Sequence, residues 1–224
     1  RDNLAYTIIA VLIARDSNLT ATELTALADA WRVNLRPGPD AATASSVLLR
    51  SFSALCLASL AERDLKAPFL GAQRFHALLD EAIDYLLQED DLRGFDPNVG
   101  WIHATAHTAD LLAALADNAR LDPPEQSRLL QAVALRLAHA PRIYSYGEQD
   151  RLARVVAAIA MRADFDLRSF QQWLQEMQAR DQAVWNDSPP RPELLDAFEN
   201  DTYMLRSLAL RLFAAPRADN LTVA

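Results

Sequence analysis

The sequence predicts an all-α chain of about nine helices, set in antiparallel pairs as a short irregular α-solenoid. Three observations lead there. Among 224 residues, 41 Ala and 36 Leu stand against 9 Val and 7 Ile, an excess of good helix formers over the β-branched residues that favour strands. All five glycines (Gly38, Gly71, Gly94, Gly100, Gly147) and nearly all the prolines fall between apolar-periodic segments, which punctuates the chain as helices joined by loops. Those loops are mostly about two to ten residues long, which favours neighbouring antiparallel helices over a simple four-helix bundle. With 51% hydrophobic residues the chain can bury a sizeable core, as one domain over residues 1–224.

The first helix is expected at Asn3 to Arg15, burying a stripe of Leu4, Ile8, Val11 and Leu12. The second, Thr20 to Val33, opens on Thr20 with Glu23 three residues on, the spacing of a capping box. The third, Thr43 to Arg63, is apolar around Cys56, a lone cysteine best explained as a core residue. The fourth, Gln73 to Gln88, repeats Phe75, Leu78, Leu79, Ala82, Ile83 and Leu86 along one face. A fifth helix is placed at Gly100 to Arg120. The sixth, Pro123 to His139, starts from Asp122 followed by Pro123, Pro124 and Glu125. Glu148 to Arg162 and Leu167 to Arg180 follow; then Asn186-Asp187-Ser188-Pro189-Pro190-Arg191-Pro192 interrupts the chain before a last helix, Pro192 to Phe213. Trp31, Trp173 and Trp185 are expected to pack.

A net charge of −8 repels phosphate backbones and anionic lipid, so nucleic acid is not an expected partner. The longest early apolar run, Ile8 to Ala14, is far too short to span a bilayer, so no membrane partner is expected either. Lys66 is the sole lysine and lies in an ordinary connection, which removes Schiff-base and phosphate-loop lysine chemistry. No Gly-x-Ser-x-Gly elbow, glycine-rich phosphate loop or Cys-x-x-Cys is present. A start at Arg1 is compatible with removal of an upstream signal peptide; the cytoplasm is the default location.

One constellation could carry chemistry. In a helix from Gly100, His103, His107, Asp110, Ala114 and Asp117 fall within about 80° of one another, so two imidazoles and a carboxylate project from one stripe. Such a set can supply three ligands to a divalent metal such as zinc. The plainer alternative is a solvated or hydrogen-bonded face. Glu148 lies in line with Leu152, Val155 and Ile159. It is open to four roles: metal ligand, general base toward a metal-bound water, acceptor for an arginine, or helix-start carboxylate favoured by the dipole. Arg50 sits among Ala54, Leu57 and Ala61 and needs an acidic partner from Glu89, Asp90, Asp91 or Asp110; alternatively Arg50 and Arg93 together clamp an anion. His76 is expected to pair with Asp80, and His139 to sit in a last helical turn.

Four runs, Arg50 to Leu55, Glu89 to Gly94, Gly100 to Asp110 and Gly147 to Ala153, taken in this order resemble the bacterial domain-of-unknown-function family 2785. The resemblance covers roughly Arg1 to Arg162, leaving residues 163–224 as helices docked on that part. It implies a HEAT-like helical protein and no established activity, and it points to Arg50, Arg93, Trp101, His103, His107, Asp110, Glu148 and Arg151.

The leading expectation is a helical-repeat binding or scaffold protein whose concave face, centred on His103, His107 and Asp110, takes a protein, peptide or small-molecule ligand. The alternative is a metal-dependent hydrolase, with those three as ligands and Glu148 as base.

Overall fold

The alanine-rich stretch Ala104–Ala116 is buried at every position. A helix with small and apolar side chains on all sides has no face to give to water, so its neighbours must surround it. The computed structural model describes residues 2–15, 19–36, 44–186 and 188–215. Among these, a π-helical turn at Asp2–Tyr6 leads into α1 (Thr7–Ala14), followed by α2 (Ala21–Val33), α3 (Ala44–Lys66) and α4 (Gly71–Gln88). A minimal antiparallel hairpin, β1 (Phe95–Asp96) and β2 (Gly100–Trp101), precedes α5 (Ala104–Ala116); then come α6 (Pro123–Ala138), α7 (Glu148–Ala160), α8 (Leu167–Ala183) and α9 (Pro192–Ala214).

The odd-numbered helices contact one another in succession, α1 to α3 to α5 to α7 to α9. The even-numbered helices α4, α6 and α8 do the same, and each row packs on the other through α4 with α5, α6 with α7 and α9, and α8 with α9. Salt bridges Arg32 to Glu81 (2.7 Å) and Arg74 to Asp29 (3.2 Å) attach α2 to α4. Buried polar groups tie successive turns together. Asp64 accepts from the Phe69 and Leu70 amides, Asn118 and Arg120, which joins the α3–α4 turn to the α5–α6 turn. Arg136 reaches from α6 to the Leu86 and Glu89 carbonyls, satisfying the end of α4. No described helix is long and apolar enough to cross a membrane.

Both expected capping boxes form, Thr20 with Glu23 and Asp122 with Glu125. Thr43 lies outside the described residues. Cys56 is buried and unpaired. Three local expectations are corrected. Leu4, Ile8, Val11 and Leu12 are 70, 51, 42 and 45% exposed, because among the described residues α1 packs mainly on α3 and turns Tyr6, Ile9 and Ile13 inward. That helix is apolar all round, so periodicity could not choose its buried side. His76 pairs with Glu125 (2.7 Å), while Asp80 takes Arg128 (2.7 Å). Trp185 is exposed, touching Phe198 edge-on, whereas Trp173 is buried with its indole N–H donating to the Leu130 carbonyl (2.7 Å).

At the end of the rows, α8 meets α9 through two carboxyl groups. Asp201 is fully buried, bound by Arg180, and shares a hydrogen bond with Asp181. Burial, together with the Asp201 contact, raises Asp181 to about 7, so this pair retains a proton that the unfolded chain would release near pH 4. A folded-state pKa above the unfolded one makes the folded form the better proton binder in that window. Stability from this pair is therefore lost as pH rises toward and through 7. Thermal unfolding at pH 5 and pH 8 checks it: the midpoint of the wild type should fall more between the two than that of Asp181→Asn.

Candidate functional site

The segment between α4 and α5 sets the site. Asp96 Oδ1 accepts from the Asn98 and Val99 amides (2.9 and 3.2 Å), Pro97 favours the turn, and Gly100 completes it at φ +87°. The Ile102 and His103 amides both donate to the Gly94 carbonyl (2.9 and 3.2 Å). His103 then adopts φ +50°, the left-handed region that side chains seldom occupy, and caps α5 by accepting the His107 amide (2.8 Å). The expected helix over Gly100–Arg120 is thus shortened at both ends, and Trp101 lies on β2 rather than on a helix.

An aromatic face results. Trp101 lies 4.4 Å from His103 at a small interplanar angle, 5.0 Å from Phe95 and 5.7 Å from Tyr146, the last two edge to face. Phe95, Trp101 and Tyr146 remain 40, 38 and 48% exposed. Tyr146 belongs to the loop before α7, and Gly94 lets it approach. A Cβ on Gly94 would fall 2.8 Å from Tyr146 Cβ and 2.6 Å from Glu148 Oε1. Gly94→Ala should therefore displace Tyr146 and Glu148, costing about 1–3 kcal/mol by overpacking; urea unfolding and the near-ultraviolet aromatic signal would register both effects.

Behind that face lies His107, 6% exposed, perpendicular to His103 at 5.6 Å and edge to face with Phe52 at 5.2 Å. Its Nδ1 is 2.8 Å from Ser51 Oγ, and the Ser51 hydroxyl donates its single proton to the Ile102 carbonyl. Ser51 can then only accept from His107. Nδ1 must carry the ring proton, which leaves the Nε2 lone pair as a hydrogen-bond acceptor. Burial, followed by the charges of His103 and Arg151, pushes His107 down to about 3, so the ring is neutral at physiological pH.

Asp110 continues the line from His107 but is bound by Arg151, with Arg154 at 3.7 Å; Arg154 also reaches Glu62 at 3.4 Å. Burial raises the Asp110 pKa against the pull of those arginines. Glu148 is buried at the first position of α7; Oε2 accepts the Tyr146 amide (2.9 Å), and burial raises its pKa. It stands in the first turn of α7, with that carboxylate oxygen engaged by backbone. Arg50 makes a bidentate pair with Glu89 (2.6 and 3.0 Å) inside the protein, and Arg93 is held by Asp91 and Asp96 (2.6 Å each). Both guanidiniums of the expected anion clamp are thus engaged by carboxylates, and Arg93 lies just before β1. The described residues contain no group of three or more His, Cys, Asp or Glu side chains placed to hold a metal ion. The set His103, His107 and Asp110 is divided, because His103 leaves the helical register, His107 Nδ1 is engaged by Ser51, and Asp110 is engaged by Arg151.

Ser51, Gly94, Phe95 and Tyr146 complete the site without having been singled out from the sequence. A signal existed for Phe95: Asp96-Pro97-Asn98-Val99-Gly100 between two aromatics is hairpin-turn chemistry. Ser51 lies within the family-like run Arg50 to Leu55, but its role depends on the register of α3 against α5, which no local pattern shows.

Fold and site together define a helical protein with an aromatic and imidazole face at the entrances of α5 and α7. The chain belongs to the family described as protein of unknown function (DUF2785), which it matches over residues 40–210. The match starts after α2 and runs into α9, so it takes in the C-terminal helices that the sequence motifs did not reach. No curated protein and no solved structure matches the chain.

Proposed function

We propose that the chain is a binding module built as a short HEAT-like α-solenoid, whose ligand docks on the Phe95, Trp101 and Tyr146 face with His103 and His107 as its polar floor. The alternation of contacts, odd helices in one row and even helices in another, supports the solenoid reading. The observation that carries the binding reading is the orientation of His107. A neutral imidazole, nearly all buried and locked in one tautomer by Ser51, keeps an acceptor for a partner from outside. Exposed aromatic rings beside a fixed acceptor form a surface that recognises rather than reacts. The hydrolase reading has less behind it, since Glu148 is turned to the Tyr146 amide and Asp110 to Arg151.

The test is a fragment library screened by nitrogen-15 NMR on the labelled chain. Binders should perturb the Trp101 indole and the Tyr146 and His103 amides together, and their shifts should vanish in Trp101→Ala. Binders that gather elsewhere and leave the Trp101 indole unmoved would overturn the proposal.

A further inference from the structure

We infer that the ligand of this face is a neutral hydroxylated ring of the carbohydrate class, laid against the exposed aromatic rings and hydrogen-bonded at its edge by His107 and Arg151. The inference rests on the reading of that face as a binding site.

Three features select the class. The first is the pairing of donor and acceptor. His107 Nε2 can only accept, while Arg151 can only donate; its side chain is half exposed, and Asp110 engages only one end of the guanidinium. A hydroxyl both donates and accepts, so adjacent hydroxyls on one ring satisfy both groups.

The second is charge. The Arg151 guanidinium and burial both disfavour a cation at His107. On the other side, the Glu148 carboxyl beside Tyr146 and the chain's net charge of −8 oppose an anion. A neutral ligand meets neither penalty.

The third is the rings. Phe95, Trp101 and Tyr146 contact one another at 5.0, 5.7 and 6.4 Å between centroids, a spacing that closes the cluster. A cage for an ammonium ion has to leave room for the cation between its rings. A closed cluster instead offers an outer surface, suited to the flat C–H face of a saturated ring.

The experiment titrates the nitrogen-15-labelled chain with a panel of neutral methyl glycosides and disaccharides, and separately with choline chloride, zinc chloride and a short acidic peptide, following the Trp101 indole signal. At least one saccharide should shift it saturably. Trp101→Ala should abolish that shift, Trp101→Phe should restore part of it, and His107→Phe should weaken binding about tenfold, the effect of one lost hydrogen bond. Tyr146→Ala, at an exposed position, provides a second test if a Trp101 variant fails to fold. Saturable shifts from choline, zinc or the peptide, with none from the saccharides, would overturn the carbohydrate class while leaving the binding face intact. No Trp101 response to any of these probes, with fragments still binding there, would do the same. The absence of fragment binding at Trp101 would instead remove the face itself.

Discussion

Replacing Arg50 by Ala should destabilise the protein by about 3–5 kcal/mol, a large share of the roughly 5–15 kcal/mol that holds a domain folded. The guanidinium is buried on α3 and bidentate to an equally buried Glu89, with Ser46 at 3.1 Å as a further acceptor. Truncating Arg50 leaves the Glu89 carboxylate inside the protein without its counter-charge, and that stranded charge, rather than the lost attraction, dominates the cost. Glu89 also accepts the Asp91 amide (3.0 Å), so the damage should spread to the segment that delivers Arg93 and Gly94 to the site. The double variant Arg50→Met/Glu89→Leu removes both charges and should recover most of the loss. Urea unfolding of the three proteins measures this. An Arg50→Ala chain as stable as the wild type would contradict the structural role and return Arg50 to the ligand-binding residues.

The second large effect is an acid destabilisation centred on His107. Its folded-state pKa, about 3, lies below the 6.5 of an unperturbed imidazole. Between these values the unfolded chain holds a proton that the folded chain does not. Stability is therefore complete above about pH 6.5 and is lost as pH falls toward 3. For this one ring the loss is on the order of 4–5 kcal/mol across the whole window, and about 3 kcal/mol by pH 4. Carboxylates elsewhere titrate in the same range, so the comparison is with His107→Phe, which keeps a ring against Phe52 and carries no proton. Urea unfolding at pH 7 and pH 4 should show the wild type losing about 3 kcal/mol more than the variant. Equal losses would mean that His107 titrates alike in both states. The Asp181 and Asp201 pair acts with the opposite sign, losing stability as pH rises from about 4 to 7, so the two effects offset each other between about pH 4 and 6.5 and the single variants are needed to separate them.

The helices were legible because periodicity and caps are local. Phe75 through Leu86 show their buried face in a dozen residues, and Thr20 with Glu23 declares a helix start in four. What failed was information held between elements. The stripe on α1 differs because the helix is apolar all round, and which side α3 takes is a tertiary fact. The site was legible in its members and misread in its connections. Trp101, His103 and His107 do come together, and Glu89 was among the candidate partners of Arg50. The helical wheel, however, assumed that His103 shares the backbone geometry of His107. A left-handed residue at the cap breaks that assumption, and that backbone geometry depends on the turn at Asp96 to Gly100 that feeds it. Ser51, which decides the tautomer, lies 56 residues from His107 and could be matched to it only through packing of α3 on α5.

The protonation of His107 is the point on which the binding reading turns, and long-range nitrogen-15 to proton correlation on its imidazole reads it directly. The expected spectrum has a protonated Nδ1 and a bare Nε2, unchanged from pH 8 down to about pH 4.5, with the Nδ1 proton lost to exchange in Ser51→Ala. A protonated Nε2, or a ring that titrates near pH 6.5, would show that Ser51 does not hold the tautomer and that no acceptor waits behind the aromatic face.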